Sequence, residues 1–434
     1  MFKYPAPFNK YVSIKAAAVL RKVPTILYII KWFFISIIIA FCVGSVSSLF
    51  LISLDKITLF RESHSYIILL LPLGGVIIAL IYYHFGKGIE DGNNVIIDGI
   101  YNTNKSIPLK IAPFVYLGTI ITHLFGGSSG REGTAIHMAG AIISQFSKIF
   151  KIYDSERKVL IISAIAAGFG SVFGTPLAGA IFALEVVLIG NIRYNAIFPA
   201  FAASILAVWV THLWGVSYEH YVIEAEITFG LLTIIYSVLA GIIFGICSAL
   251  FSKMMHLCTR LFANKIKNPL LRPIVGGIII IIAIFLFGRN YIGLGLGTIS
   301  ESFSVQMPFY VFALKMAFTI LTLSCGFKGG EVTPLFFIGA TLGSALTIIM
   351  PLPIALLAAM GFTAVLAGAT NTPLACIVLG LEIFDIEFSV YITIACVVSY
   401  LVSGHNSIYV KQRVGEAKHT LFSRDNGKSI SDIK

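Results

Sequence analysis

The sequence runs to 434 residues, of which 57% are hydrophobic and 12% charged, with a formal net charge of +11. A mean hydropathy of +0.92 belongs to a chain that crosses a membrane many times and excludes an assembly of soluble domains. The basic residues gather at the two ends rather than on a folded surface, which argues against nucleic-acid binding.

In chain order, residues 1–24 form a polar, basic start. Lys3, Lys10, Lys15, Arg21, Lys22 and Lys31 precede or enter the first apolar run, and Lys411, Arg413, Lys418, Arg424, Lys428 and Lys434 follow the last. The positive-inside rule then places both termini in the cytoplasm. The first apolar run is long enough to span, so no cleavable signal peptide is expected. Full-length spans are expected over Ile26–Leu54, Tyr66–Tyr83, Ile197–Trp214, Leu231–Leu257, Ile274–Phe287 and Met307–Leu323. Shorter apolar pieces cut by Gly and Pro lie between them: Leu109–Leu124, Thr134–Phe150, Val159–Phe173, Leu177–Ile189, Leu335–Ile349, Ile354–Leu366, Leu374–Phe384 and Val390–Val402. They are too many and too short for a simple bundle of full spans. Cys42, Cys247, Cys258, Cys325, Cys376 and Cys396 have no metal-site spacing and read as small core residues. No cofactor or metal is expected.

The chain repeats itself. "GTPLAGAIFALE" (174–185) matches "NTPLACIVLGLE" (371–382), pairing Thr175 with Thr372, Pro176 with Pro373 and Glu185 with Glu382, each 197 positions apart. About 40 residues upstream of each lies a second pair, "GREGTAIHMAG" (130–140) and "GGEVTPLFFIGATLG" (329–343), in which Glu132 is matched with Glu331 at a spacing of 199. Two transmembrane halves follow, 25–215 and 228–405, with a short basic cytoplasmic tail over 406–434. Short helices interrupted at matching positions point to a transporter whose site lies near the midplane. The symmetric Glu185 and Glu382 suggest a shared structural role such as a helix end.

The chemistry points to an anion. Gly126, Gly127, Gly130 and Gly133 lead into one apolar run, and Gly326, Gly329 and Gly330 into another. Glycine permits close approach of backbone to a ligand. A helix that starts there aims free N–H groups and the positive end of its dipole into the gap. Pro176, Pro334 and Pro373 suit first-turn positions. Charged groups at membrane depth mark pathways. Ionised, Glu132 would compete with an anion for these N–H groups; protonated, it would free them, coupling anion to proton movement. The plainer alternative is a Glu132 that pairs with Arg131 or caps a helix. His123 and His137 read as packing residues.

These motifs resemble those of the CLC family of chloride channels and proton-coupled anion antiporters. "GREG" (130–133) matches the motif that carries the family's external gating glutamate, here Glu132. "GEVTP" (330–334) stands where the family has Gly-x-Phe-x-Pro, "GNNVI" (92–96) where it has Gly-Ser-Gly-Ile-Pro, and "HNSIY" (405–409) where it places a pore-lining tyrosine, here Tyr409. The resemblance implies an all-α polytopic membrane protein built as an inverted repeat of tilted and broken helices, and a homodimer with one pore per subunit. Several positions depart from the family pattern. Asn93 replaces the chloride-coordinating serine, Thr134 a proline, and Val332 followed by Thr333 the phenylalanine, with Glu331 as an added acid. Val186 stands where chloride/proton antiporters carry an internal glutamate. This combination is similar to the fluoride/proton antiporter branch. The implied site comprises Glu132 as gate and proton carrier, anion contacts from Asn93, Gly133, Thr134, Ala135, Val332, Thr333 and Tyr409, and Glu331 as a secondary acid. Asn93 offers two N–H donors where serine offers one O–H, which suits a small, strongly hydrated anion. The expected function is fluoride export in exchange for protons at a plasma membrane, in a bacterial inner membrane by the compactness of the chain. Within the family the alternatives are a chloride/proton antiporter and a passive chloride channel. Outside it, "GSSG" (127–130) matches the nucleophile pattern of rhomboid-type intramembrane serine proteases, with Ser129 as nucleophile.

Overall fold

The computed structural model describes residues 6–86, 93–101, 107–149, 152, 154–218, 221, 230–384 and 386–433. It is all-helical apart from one two-residue strand pair. The first half contains α1 (Ala6–Ser63), α2 (Leu71–Phe85), α3 (Asn93–Tyr101), α4 (Ile111–Leu124), α5 (Glu132–Ile149), α6 (Asp154–Phe173), α7 (Pro176–Glu185) and α8 (Ile197–Leu213). The second contains α9 (Leu231–Lys265), α10 (Leu271–Phe287), α11 (Leu296–Glu301), α12 (Tyr310–Ser324), α13 (Val332–Leu346), α14 (Ile354–Thr370), α15 (Pro373–Ile383) and α16 (Ser389–Val402). Every apolar segment expected to be helical contains a helix. The sequence reading did not foresee α3, which is rich in polar residues, or α11, which has six residues.

Among the described residues, four helical segments are long and apolar enough to cross a bilayer: Pro24–Ser63, Ser65–Phe85, Tyr194–Leu213 and Leu231–Lys265. The other two expected spans are shorter helices. Those helices, α10 with 17 residues and α12 with 15, are about 25 Å and 22 Å long at 1.5 Å per residue, short of a ~30 Å hydrocarbon core.

The halves repeat in space. α1 packs on α4, α5, α6 and α8, as α9 packs on α12, α13, α14 and α16. The tightest core lies between α13 and α14, where all of α13 and nearly all of α14 are buried. Large apolar side chains point outward from the peripheral helices, among them Phe41, Leu73, Trp209, Leu250 and Phe285. In water such a surface would demand a partner; here lipid covers it.

Two details follow from local chemistry. α6 and α14 each end on a left-handed residue, Gly174 (φ 74°) and Asn371 (φ 60°), the residue types that tolerate that conformation at a helix C-terminus. The next residues, Thr-Pro in both halves, start α7 and α15 with proline in the first turn. The expected apolar run Leu177–Ile189 leaves the helix after Glu185. Leu188–Ile189 forms β1, paired in parallel with β2 (Arg413–Val414) of the C-terminal tail. The tail is therefore docked on the first half. Gly415 and Glu416 donate N–H groups to the Ile189 carbonyl at 2.9 and 3.1 Å, and Ile430 donates to that of Gln412 at 2.9 Å.

Candidate functional site

The two glycine-rich loops meet at the centre of the molecule. Gly130 and Gly330 form an antiparallel bridge and exchange both backbone hydrogen bonds, at 2.6 and 2.8 Å. Threonines of the opposite half brace the loops: the Ser128 N–H donates to Thr322 Oγ1 at 3.1 Å, and the Lys328 N–H to Thr122 Oγ1 at 3.2 Å. Gly126 and Gly326 adopt φ of 86° and 108°, open only to glycine at little cost. A Cβ on Gly330 would sit 2.8 Å from the Gly133 nitrogen, so glycine lets the two helix starts come together.

These contacts give the true register of the repeat here. Gly330 pairs with Gly130, 200 positions on, so Glu331 is the counterpart of Arg131, and Val332 that of Glu132. The sequence match of Glu132 with Glu331 is one residue out. The short motifs contain a glutamate each, and only the backbone pairing distinguishes the two alignments.

Glu132 opens α5 and is fully buried. Its Oε2 accepts the N–H of Arg131 at 3.1 Å and the N–H of Thr333, in the first turn of α13, at 3.1 Å. Its Oε1 accepts the Thr333 hydroxyl, with Arg131 Nε 3.8 Å away. The carboxylate thus occupies donors at the start of the opposite half's helix. Both plainer alternatives are present as well, since Glu132 caps a helix and loosely pairs with Arg131. Negative charge is favoured at a helix N-terminus, and a carboxylate binds such N–H groups strongly.

The remaining expected site residues separate into groups. The first-turn N–H groups of Gly133 and Thr134 have no acceptor within their own helix. The Ala135 N–H is already given to the Arg131 carbonyl at 3.2 Å, which removes it from the expected cradle. The Thr134 hydroxyl lies 2.6 Å from that of Thr119 on α4. Val332 is buried at the start of α13 and Glu331 half-buried just before it. Tyr409, on the turn after α16, is 4% exposed. The α3 backbone begins at Asn93, but the Asn93 side chain lies outside the described residues.

Sequence reasoning missed the buried cations, two of which lie beside the first glycine loop. Lys315 on α12 is fully buried and donates to the carbonyls of Tyr291 (3.2 Å) and Gly293 (2.8 Å). Arg61 at the end of α1 donates to the His123 carbonyl at 2.9 Å, while the Gly293 N–H donates to the carbonyl of Gly127 at 3.0 Å. The segment 291–293 is thereby tied to the first glycine loop. The signal was a lone lysine inside an apolar run, the kind of residue that marks function or anchoring. Ser129 Oγ stands 3.2 Å from His123 Nε2. Both side chains are fully buried, with Ser129 packed against Gly329, which does not fit a nucleophile that must meet a peptide.

Comparison with known proteins places this arrangement. The Voltage gated chloride channel family matches residues 74–404. The chain is 47% identical over 414 residues, 94% of its own length and 91% of the relative's, to a chloride/fluoride channel protein of Pseudomonas syringae pv. tomato. It superposes on the crystal structure of a CLC-type fluoride/proton antiporter with a TM-score of 0.86 at 34% identity, covering 88% of this chain and 98% of that one. A slow cyanobacterial chloride/proton antiporter shares the fold at a TM-score of 0.73 and 21% identity, over 86% of this chain and 94% of the other. With a family match across most of the chain and a paired-loop site at its centre, this multi-pass membrane protein belongs to the voltage-gated chloride channel (CLC) family.

Proposed function

We propose that the protein is a fluoride/proton antiporter that exports fluoride using the inward proton gradient. The observation that carries this reading is the Glu132 carboxylate seated on the N–H and hydroxyl of Thr333. An anion entering the same gap needs the same donors. Protonation of Glu132 weakens its hold on them, and departure of the side chain frees them. Each exchange then links one anion step to one proton step. Fluoride exacts a large dehydration cost, which N–H and O–H donors from Gly133, Thr134 and Thr333 offset. Two relatives support that choice of ion, a chloride/fluoride channel protein at 47% identity and a CLC-type fluoride/proton antiporter at 34%. Val332 shapes the outer lining, Asn93 and Tyr409 the inner side, and Glu331 serves as a secondary acid. The working form is a homodimer in a bacterial inner membrane, with both termini cytoplasmic.

A chloride/proton antiporter and a passive channel are the competing outcomes, and the lack of an internal acid at Val186 fits a channel as well as a fluoride antiporter. Proteoliposomes loaded separately with fluoride and chloride, with internal pH followed, decide between them. Fluoride efflux that drives proton uptake, with little chloride efflux, is expected. Comparable chloride efflux, or fluoride efflux without proton uptake, would overturn the proposal.

A further inference from the structure

Gln412 was not singled out by its sequence surroundings, yet it is fully buried and uses every hydrogen-bonding position of its amide. Nε2 donates to the carbonyls of Val186 and Thr370, both at 2.9 Å. Oε1 accepts from Asn371 Nδ2 at 3.1 Å and from Ser407 Oγ at 2.8 Å. These partners come from three places. Val186 follows α7 of the first half, Thr370 and Asn371 end α14 of the second, and Ser407 belongs to the turn that carries Tyr409. The same turn is held by the Gln412 N–H on the Tyr409 carbonyl (3.1 Å), the Ile408 N–H on the Ala369 carbonyl (3.0 Å) and the Tyr409 N–H on Ser407 Oγ (3.1 Å).

We infer that Gln412 is a positioning residue for the inner pathway: it locks the Tyr409 turn simultaneously to the helix ends of both repeat halves. This inference rests on the reading above in which Tyr409 lines the anion route. Only an amide of this length supplies two donors and a doubly accepting oxygen from one side chain. Glutamate of equal size would turn carboxylate oxygens toward the Val186 and Thr370 carbonyls. Leucine would remove all four hydrogen bonds and leave the Val186 and Thr370 carbonyls without this donor, a cost to stability for buried groups. Val186 stands where chloride/proton antiporters of this family carry an acid; here its carbonyl is a tether for Gln412. If the inner turn is held by this clamp, releasing it lets the Tyr409 ring leave the pathway and opens the inner constriction.

The test is a double-mutant cycle in proteoliposomes with Gln412→Glu, Tyr409→Ala and the pair. Gln412→Glu and Tyr409→Ala are each expected to lose proton coupling and admit chloride, and Gln412→Glu is expected to add nothing further in the Tyr409→Ala background. Unchanged coupling and unchanged fluoride/chloride preference in Gln412→Glu would overturn the inference. So would additive losses in the double variant, which would mean that Gln412 acts on the fold and not through Tyr409. If Gln412→Glu cannot be purified folded, Ser407→Ala, which removes one of its donors, carries the test. A partial shift of the same kind supports the clamp, and an unshifted ratio rejects it. Wild-type protein that fails to exchange fluoride for protons would defeat the functional reading instead. The clamp would then be judged on the selectivity of whichever anion flux the wild type shows.

Discussion

Two pairs of helix starts face each other across the repeat, and their carboxylates are arranged differently. At α7 and α15 the caps are reciprocal. Glu382 accepts the N–H groups of Leu177 and Ala178 at 2.9 and 2.7 Å, and Glu185 accepts those of Leu374 and Ala375 at 3.2 and 2.9 Å. Each half supplies the acid for the other, as a two-fold contact requires, and no donor is left over for a passing ion. At α5 and α13 one carboxylate serves both starts. Glu132 reaches from the first turn of α5 to Thr333 of α13, while its counterpart Val332 has no acid to return. The symmetric pair closes the structure. The asymmetric pair puts its donors under a single carboxylate, and in the proposed reading that carboxylate gives way to an anion.

That contrast can be broken at its strongest point first. Glu132→Gln is expected to abolish proton-coupled exchange while the protein still folds, because the uncharged amide binds the Thr333 donors weakly and titrates no proton. Flux with pH recording checks it, and undiminished coupling would remove Glu132 from the mechanism. Glu185→Ala and Glu382→Ala should each cost about 1.5–3 kcal/mol of stability for every charged hydrogen bond lost, by similar amounts, with the fluoride/chloride ratio of the folded protein unchanged. Thermal unfolding in detergent measures the first and flux the second. A selectivity change there would erase the distinction between the two pairs. Thr333→Val removes a hydroxyl and keeps the N–H. It should weaken the Glu132 hold and anion binding by about 1 kcal/mol, roughly fivefold in apparent affinity. Asn93→Ser is expected to have the smallest effect, a modest loss of discrimination against chloride. An unchanged ratio would leave Asn93 only its place at the start of α3.

Much of this was legible in the sequence, for identifiable reasons. Apolar runs cut by Gly and Pro delimit helices because those residues impose their own backbone geometry, so the chain of short helices could be read directly. Glu185 and Glu382 announced a common structural role, and the reciprocal caps fulfil it. The exact register at the glycine loops could not be read, because it is set by Gly130–Gly330 pairing between residues 200 apart and not by local pattern. Lys315 stood out as a lone lysine in an apolar run, but the partners of Arg61, Lys315 and Gln412 could not be read: they are mostly backbone carbonyls distant in sequence, which carry no sequence signature. The docking of the tail through β1 and β2 likewise depends on two short segments whose pairing only the fold brings about.

The central claim is that the Glu132 carboxylate and the anion compete for the same donors at the start of α13. Fluoride binding to the purified protein, measured by calorimetry across a pH series for wild type and Glu132→Gln, tests it most directly. Protonation empties the site, so wild-type binding should strengthen as pH falls, while the Gln variant should bind with little pH dependence. Equal pH dependence in both proteins, or wild-type binding that weakens toward low pH, would contradict the account.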